Sequence, residues 1–220
     1  MGCCSGRSGY PAAEQQFGSA LAQRDLKRYR RAGPDASSQV LLRSVATSVH
    51  EDEALLDIGA GVGVLAFELL SRGLRHAMLV DASPAYMDAA QSEADRRGIT
   101  SRVRCVAGDV VRLDGTIAPA DVVTMHRVVC CYPDWAALLA RATTLSRRVL
   151  ALSYPRDTWY VRGGVRLENL RRRIFGNPFR SFLHSPIAME NYIAAAGFER
   201  ISQRTTPIWC VVVYTRSKTA

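Results

Sequence analysis

The sequence predicts an α/β fold in which helices cover both faces of a seven-stranded, mostly parallel sheet, as a three-layer sandwich preceded by N-terminal helices. Between residues 54 and 153, short apolar runs alternate with longer segments of helical periodicity, which is typical of parallel strands joined by crossover helices. The last two predicted strands, "ERISQR" and "IWCVVVYT", are separated by only a few residues. A parallel crossover needs about a dozen residues, so we expect an antiparallel last strand.

The first 35 residues are expected to form a tail and a lid helix ahead of the main domain at 36–220. Residues 1–11 are rich in glycine and serine, which predicts a loose tail. Residues 12–31 are polar and predict a helix that ends at Gly33. The first helix of the main domain is predicted by an apolar stripe of Val40, Leu41, Val45 and Val49.

Six apolar runs and the polar segment "ERISQR" predict the strands, and the segments between them predict the helices. The run "ALLDIG" from Ala54 is closed by a glycine, as expected for a buried parallel strand. Asp134 precedes one helical segment as an N-cap, and Pro84 lies in the first turn of another. We expect strands at 54–59, 76–83, 103–109, 120–129, 148–155, 199–204 and 208–215, and further helices at 62–73, 84–98, 134–146 and 186–198.

The composition argues against several classes of protein. No apolar run approaches the roughly 20 residues of a membrane span, and the N-terminus has no apolar signal segment, so we expect a cytoplasmic protein without a membrane span. The net charge of +9 comes mainly from arginines spread along the chain, which is typical of a compositional bias rather than of a nucleic-acid partner. The six cysteines include no C-x-x-C spacing, so we expect free thiols and no metal site.

A glycine-rich loop, "DIGAGVG", follows the first predicted strand. Gly59, Gly61 and Gly63 allow a tight turn and a close approach of the backbone to a ligand, and the next helix offers its N-terminus. Asp81 ends the second strand, where a carboxylate can accept hydrogen bonds from both ribose hydroxyls. Asp109 ends the third strand, within reach of an adenine amino group. These features predict a nucleoside-containing cofactor.

Two cofactor classes compete for this loop: a nicotinamide or flavin dinucleotide, and S-adenosylmethionine (AdoMet). The dinucleotide pattern is met only loosely, by Gly61, Gly63 and Ala66. Asp57 would repel a pyrophosphate, whereas it could face the positively charged methionine end of AdoMet. The antiparallel last strand also belongs to methyltransferases rather than to dehydrogenases. The residues therefore favour AdoMet.

In order and spacing, the segments "DIGAGVG", "VDASP", "AGD" and "DVVTMHRVV" resemble the class I AdoMet-dependent methyltransferase family over about residues 40–154. The resemblance implies a Rossmann-like fold, AdoMet as cofactor and an enzyme of EC class 2.1.1. It implies that the loop wraps the methionine and ribose, that Asp81 binds the ribose, and that Asp109 with Val110 contacts the adenine. The expected cofactor-binding residues are Asp57, Gly59, Ala60, Gly61, Gly63, Asp81, Ala82, Ser83, Met87, Gly108, Asp109, Val110, His126 and Arg127, with Tyr29 from the lid helix.

Whether Tyr29 contacts the cofactor depends on the role of its helix. N-terminal helices of this family often close over AdoMet, and Tyr29 would then contact the cofactor. A solvent-facing amphipathic helix is the alternative.

A weaker resemblance to the magnesium-protoporphyrin O-methyltransferases concerns the acceptor. Tyr132 in "CYPD" and His184 in "SFLHSPIAMENYIAAAGFE" carry it. That family has an active-site histidine where this chain has Cys131, and a neutral thiol is a poor substitute for an imidazole base. The difference argues against the porphyrin reaction itself.

Residues 156–185 form an insertion rich in aromatic residues and arginines. Its rings could stack on a planar acceptor and its arginines could pair with carboxylates, whereas the alternative is a lid helix with a solvated arginine face. The expected substrate-binding residues are Cys131, Tyr132, Trp159, Tyr160, Arg166 and His184.

The expected function is methylation of a small-molecule acceptor on oxygen or nitrogen. Alignment and water exclusion supply much of the catalysis in such an in-line displacement. His126 is the expected base for an acceptor that must lose a proton, Tyr132 would orient the acceptor, and Cys131 would face it. Three alternatives stay open: an RNA or tRNA methyltransferase, a non-catalytic AdoMet-binding protein, and a methyltransferase for a thiophilic metalloid bound by Cys130 and Cys131, with Cys3 and Cys4.

Overall fold

The computed structural model describes residues 16–113 and 115–217, which form a seven-stranded sheet. Its strands are β1 (Ala54–Ile58), β2 (His76–Asp81), β3 (Val103–Ala107), β4 (Ala120–His126), β5 (Ser146–Pro155), β6 (Phe198–Thr205) and β7 (Trp209–Arg216). They lie in the order β3-β2-β1-β4-β5-β7-β6. Strands β1 to β5 pair in parallel, and β7 runs antiparallel to both β5 and β6. The predicted fold class, with its antiparallel last strand, is confirmed.

Helices cover both faces of the sheet. They are α1 (Ser19–Ala32), α2 (Ala36–Ala46), α3 (Val64–Leu70), α4 (Pro84–Arg96), α5 (Trp135–Leu145), α6 (Trp159–Ile174) and α7 (Pro186–Ala195). The carboxylate of Asp134 accepts the backbone N–H of Ala137 at 3.0 Å, so the predicted N-cap of α5 is present. None of these described helices is long and apolar enough to cross a membrane.

Alternating side chains of the strands fill two separate cores. Leu55 and Leu79 face the core shared with α1 to α4, whereas Leu56 and Val123 face the core shared with α5 and α7. Every residue of β1 is buried, as expected for the central strand of a sheet that is covered on both faces.

The fourth strand is shorter than predicted. It ends at His126 because Arg127 adopts a left-handed backbone conformation, with a φ of 60°. A 3₁₀ turn, Val129–Cys131, begins where the expected strand would have ended. The chain therefore bends sharply at the carboxyl edge of the sheet.

Hydrogen bonds and ion pairs attach α1 to the neighbouring helices. The hydroxyl of Tyr29 donates to Glu68 Oε1 at 2.8 Å, and Arg30 Nε donates to Glu93 Oε2 at 2.7 Å. Glu93 is fully buried, and its carboxylate also accepts hydrogen bonds from Arg96 and Arg97. The division of the chain at residue 35 stays a prediction, and the predicted tail at 1–11 lies outside the described residues.

Candidate active site

A cavity of about 1230 Å³ lies at the carboxyl edge of the parallel strands. Its floor comes from the loops after β1, β2, β3 and β4, and its walls come from α1 and α6. Parallel α/β sheets place their ligands at this edge. The structure brings most of the predicted site residues to the cavity lining: Tyr29, Asp57, Gly59, Ala60, Gly61, Asp81, Ala82, Gly108, Asp109, Val110, His126, Arg127, Cys131, Tyr132 and Tyr160.

The loop after β1 requires glycine at Gly59. Its φ is 66°, and its N–H donates to the carbonyl oxygen of Val80 at 2.7 Å. A Cβ at this position would lie 2.3 Å from Val128 Cγ2. Gly63, with a φ of 82°, packs against Phe67 rather than lining the cavity, so its part in the site is to let α3 begin.

Asp57 presents a buried carboxylate oxygen to the cavity. The Thr124 hydroxyl donates to Oδ1 at 2.6 Å, whereas Oδ2 has no hydrogen-bond partner among the described residues. Burial raises the pKa of Asp57 to about 7; the charge of Asp81 adds to the rise and Thr124 opposes it. A buried acceptor without a donor is costly. The site therefore fits a cationic ligand group, such as an ammonium, that donates to Oδ2.

Asp81 joins the ends of β1 and β2. Its carboxylate accepts the backbone N–H of Gly61 at 2.9 Å and the N–H of Ser83 at 2.9 Å. Burial nevertheless raises the pKa of Asp81. Each carboxylate oxygen can accept more than one hydrogen bond, so both can still accept hydrogen bonds from ligand hydroxyls. Ser83 lies outside the lining, where its hydroxyl donates to the carbonyl of Phe17 at 2.6 Å.

Asp109 and Tyr132 form a pair at the end of β3. The Tyr132 hydroxyl donates to Asp109 Oδ2 at 3.0 Å, and the backbone N–H of Val111 donates to Oδ1 at 3.0 Å. Burial raises the pKa of Tyr132, and the negative charge of Asp109 raises it further. Tyr132 is therefore a neutral hydrogen-bond donor.

His126 is held between three serine hydroxyls. Its Nε2 lies 3.3 Å from both Ser37 Oγ and Ser38 Oγ, and its Nδ1 lies 2.8 Å from Ser153 Oγ. Burial lowers the pKa of His126 to about 3, and the positive charge of Arg127 lowers it further. The imidazole is neutral near pH 7, with both nitrogens within hydrogen-bond reach of protein groups.

Arg127 belongs to the same network. Its guanidinium lies 3.1 Å from the Asp35 carboxylate and 5.8 Å from the centre of the Trp209 ring. Its backbone N–H donates to Ser153 Oγ at 2.9 Å. The network ties the start of α2 to the end of β4, which explains how the left-handed conformation of Arg127 is maintained.

Cys130 and Cys131 lie side by side in the 3₁₀ turn. Their sulfur atoms are 3.8 Å apart, and both thiols point to the carbonyl oxygen of Arg127. The hydrogen bond with Cys130 raises the pKa of Cys131, and burial raises it further. Within residues 16–113 and 115–217, no group of three or more His, Cys, Asp or Glu side chains is arranged to hold a metal ion. Cys3 and Cys4 lie outside the described residues.

Besides Gly63 and Ser83, four further predicted residues lie away from the cavity. Met87 is buried in the core beneath α4. Trp159 is 84% exposed. Arg166 and His184 line a separate small groove, where His184 Nε2 is 3.1 Å from the carbonyl oxygen of Val129.

The acceptor wall depends on residues that sequence reasoning did not single out. Val161, Val165, Glu168 and Arg172 of α6 line the cavity, at the spacing of one helical face. This helical spacing is visible in the sequence and could have identified these residues. It selects Arg172 among the arginines of the insertion.

Comparisons with known proteins agree with this fold. Residues 55–148 match the family described as "Methyltransferase domain". Ribosomal protein L11 methyltransferase from Symbiobacterium thermophilum is 25% identical over 142 residues, which are 61% of this chain and 46% of the relative. The chain thus spans about half the length of the curated relatives it matches, or less.

Solved structures share the fold over most of the chain. Magnesium protoporphyrin IX methyltransferase from Synechocystis PCC 6803 with bound SAH has a TM-score of 0.72 and 18% identity, and the match covers 94% of this chain and 99% of that one. The 1,6-didemethyltoxoflavin-N1-methyltransferase of Burkholderia thailandensis, with S-adenosylhomocysteine, has a TM-score of 0.63 and 18% identity over 94% and 91%. Residues 55–148 therefore match a methyltransferase domain, and these matches support the predicted recognition as a class I methyltransferase with AdoMet as cofactor.

Proposed function

We propose that this chain transfers the methyl group of AdoMet to a small molecule with an anionic oxygen, bound between the glycine loop and α6. The main observation behind this proposal is the size of the cavity. Its volume of about 1230 Å³ exceeds the roughly 300–1,000 Å³ of a pocket for one small ligand, which leaves room for an acceptor beside the cofactor. Helix α6 walls the acceptor side. A cytoplasmic location stays part of this proposal.

The cofactor is assigned to the carboxylates of the floor. Asp57 faces its ammonium group, Asp81 receives the ribose hydroxyls, and Asp109 receives the adenine amino group. When bound, AdoMet supplies an electrophilic methyl group on a cationic sulfur. The residues of the chain bind and orient the two reactants and exclude water.

The acceptor-side residues favour an acceptor that arrives already ionised. His126 has a pKa of about 3 and its nitrogens face serine hydroxyls. The pKa values of Cys131 and Tyr132 are raised, and Tyr132 already donates to Asp109. These groups are poor bases near pH 7. A carboxylate is ionised at that pH and needs no base, so we assign His126 to positioning the end of β4.

Arg172 is the group we assign to the acceptor anion. It lines the cavity above Phe179, and its Nη1 donates to Ser181 Oγ at 2.9 Å. Its Nε is buried without a hydrogen-bond partner among the described residues, although Glu168 Oε1 lies 3.2 Å away. A guanidinium carries five N–H donors, so Arg172 can pair with Glu168 and still offer donors to an acceptor carboxylate.

The test supplies AdoMet with a tritiated methyl group to separated metabolite, protein and RNA fractions. We expect label in small molecules. Arg172→Gln should raise KM for the acceptor about tenfold or more, the scale of one charge-assisted hydrogen bond, and Arg173→Gln on the exposed face is the matched control. Label in RNA alone would refute the proposal, and AdoMet binding without any labelled product would support the non-catalytic alternative.

A thiophilic acceptor is the second candidate, because the thiols of Cys130 and Cys131 lie 3.8 Å apart at the cavity wall. Phenylarsine oxide would bridge such a pair. Binding that is abolished by Cys131→Ser and competes with the labelled acceptor would support it, whereas binding without competition would contradict it.

A further inference from the structure

Helix α6 exposes an apolar stripe on the face that points away from the protein. Trp159, Leu167, Leu170 and Ile174 are 84%, 69%, 53% and 70% exposed. Their spacing places them within roughly 80° of one another around the helix axis. Phe175, directly after the helix, is 76% exposed. Exposed apolar side chains are normally scattered, so four of them on one helical face, interrupted only by Gly163, indicate a binding surface.

The opposite face of α6 fixes the helix to the protein without using this stripe. Val161 is buried, and Val165, Glu168 and Arg172 are only partly exposed where they line the cavity. The helix is therefore packed on one side. Its outward apolar residues contribute little to folding, and water alone is an unfavourable environment for them.

Arginines border the stripe. Arg162, Arg166 and Arg173 lie along one side and Arg171 lies on the other, in a helix with five arginines and one glutamate. Arg162 pairs with Asp157 and Arg171 with Glu168, so part of the charge is balanced locally. An apolar stripe with a tryptophan, flanked by arginines, is typical of a helix that lies in the interface of an anionic bilayer.

We propose that this stripe and its flanking arginines, the α6 outer face, dock the protein on a membrane surface that contains anionic phospholipids. The charge complementarity favours lipid head groups over a second copy of this basic chain, whose arginines would meet the same arginines. The helix would lie parallel to the surface with its apolar side chains among the upper acyl chains. Docking would bring the acceptor wall of the cavity to within about one helix diameter, roughly 10 Å, of the lipid. The binding itself requires neither cofactor nor catalysis and does not rest on the proposed function.

The test is flotation of the full chain with vesicles of phosphatidylcholine alone and of phosphatidylcholine mixed with phosphatidylglycerol. Leu167→Asp and Ile174→Asp should each lower the partition coefficient on the mixed vesicles by about tenfold or more, the scale of removing one buried aliphatic side chain. Ile187→Asp is the matched control, because Ile187 is 72% exposed on α7 and the substitution adds the same charge. High salt should weaken the binding of the unsubstituted chain.

Four outcomes would overturn the proposal. The unsubstituted chain fails to float with mixed vesicles, or it floats equally well with phosphatidylcholine alone. Ile187→Asp loses as much binding as Ile174→Asp, which would indicate a general effect of charge. Light scattering without lipid shows a dimer that Ile174→Asp converts to a monomer, which would assign the α6 outer face to a second copy. Circular dichroism of each variant checks that the fold is retained.

Discussion

Replacing Asp57 by Asn tests the assignment of the cofactor's ammonium group. The exchange keeps the hydrogen bond from Thr124 but removes the negative charge at the buried oxygen that has no donor among the described residues. A hydrogen bond between charged partners contributes about 1.5–3 kcal/mol, so AdoMet should bind roughly tenfold to a hundredfold more weakly. Asp88→Asn, an exposed charge change on α4, should leave the affinity unchanged.

The pH dependence of binding gives a sharper signature. Because the pKa of Asp57 is about 7 and a cation binds the ionised form, the affinity of the unsubstituted chain should rise with pH. Between about pH 5.5 and 7.5 the ionised fraction grows roughly twentyfold, while the ligand's α-ammonium, with a pKa near 8, stays mostly charged. Asp57→Asn should lose this rise. Thr124→Val removes the hydrogen bond that favours the ionised form of Asp57, so the rise in affinity should occur at higher pH.

The stability of the cofactor-free protein should change in the opposite sense. A pKa raised from 3.8 to about 7 means that the folded state binds more protons than the unfolded state between these values. Stability should therefore fall as pH rises from 4 to 7, by at most about 4 kcal/mol, and Asp57→Asn should flatten the curve. Titration calorimetry and thermal unfolding measure both effects. An Asp57→Asn variant with the original affinity and pH slope would refute the assignment.

Three further predictions concern the cavity floor. Asp81→Ala should weaken AdoMet binding tenfold or more, because it removes the ribose acceptor and the bond to Gly61; unchanged affinity in calorimetry would contradict the ribose assignment. Gly59→Ala should lower the thermal midpoint, because its Cβ would meet Val128 at 2.3 Å and its φ is 66°; an unchanged midpoint would show that Val128 can move. The pH profile of kcat/KM should show no inflection from His126 between pH 6 and 8, because its pKa is about 3; an inflection near 6.5 that His126→Gln removes would return the base role to it.

The sequence predicted the fold because its signals are local. Short apolar runs specify parallel strands, Asp134 caps α5, and the short connection before β7 permits only an antiparallel pairing. The positions of Asp57, Asp81 and Asp109 followed from the same logic, since parallel strands end at one edge of a sheet. Their binding roles stay predictions.

The acceptor side was less predictable because it depends on side-chain direction within a helix. Composition alone does not distinguish Arg166 from Arg172, yet α6 turns the first toward a small groove and the second into the cavity. The environment of His126 depends on Ser37 and Ser38, nearly 90 residues earlier in the chain. Only the packing of α2 against β5 and β7, which puts its first turn beside the end of β4, brings these groups together.

The buried Glu93 has a consequence for the wall that α1 forms. It is the one carboxylate among three guanidinium groups, those of Arg30, Arg96 and Arg97, and only Arg30 belongs to α1. The arginine hydrogen bonds, Arg96 first, hold the pKa of Glu93 down near 2, so this bridge persists at any ordinary acidity. Without that single charge, α1 and α4 would present like charges to each other. One buried carboxylate thus makes the charges of α1 and α4 attract, and it adds to the other contacts that hold this wall of the cavity, such as the bond from the Tyr86 hydroxyl to Asp25 at 2.7 Å.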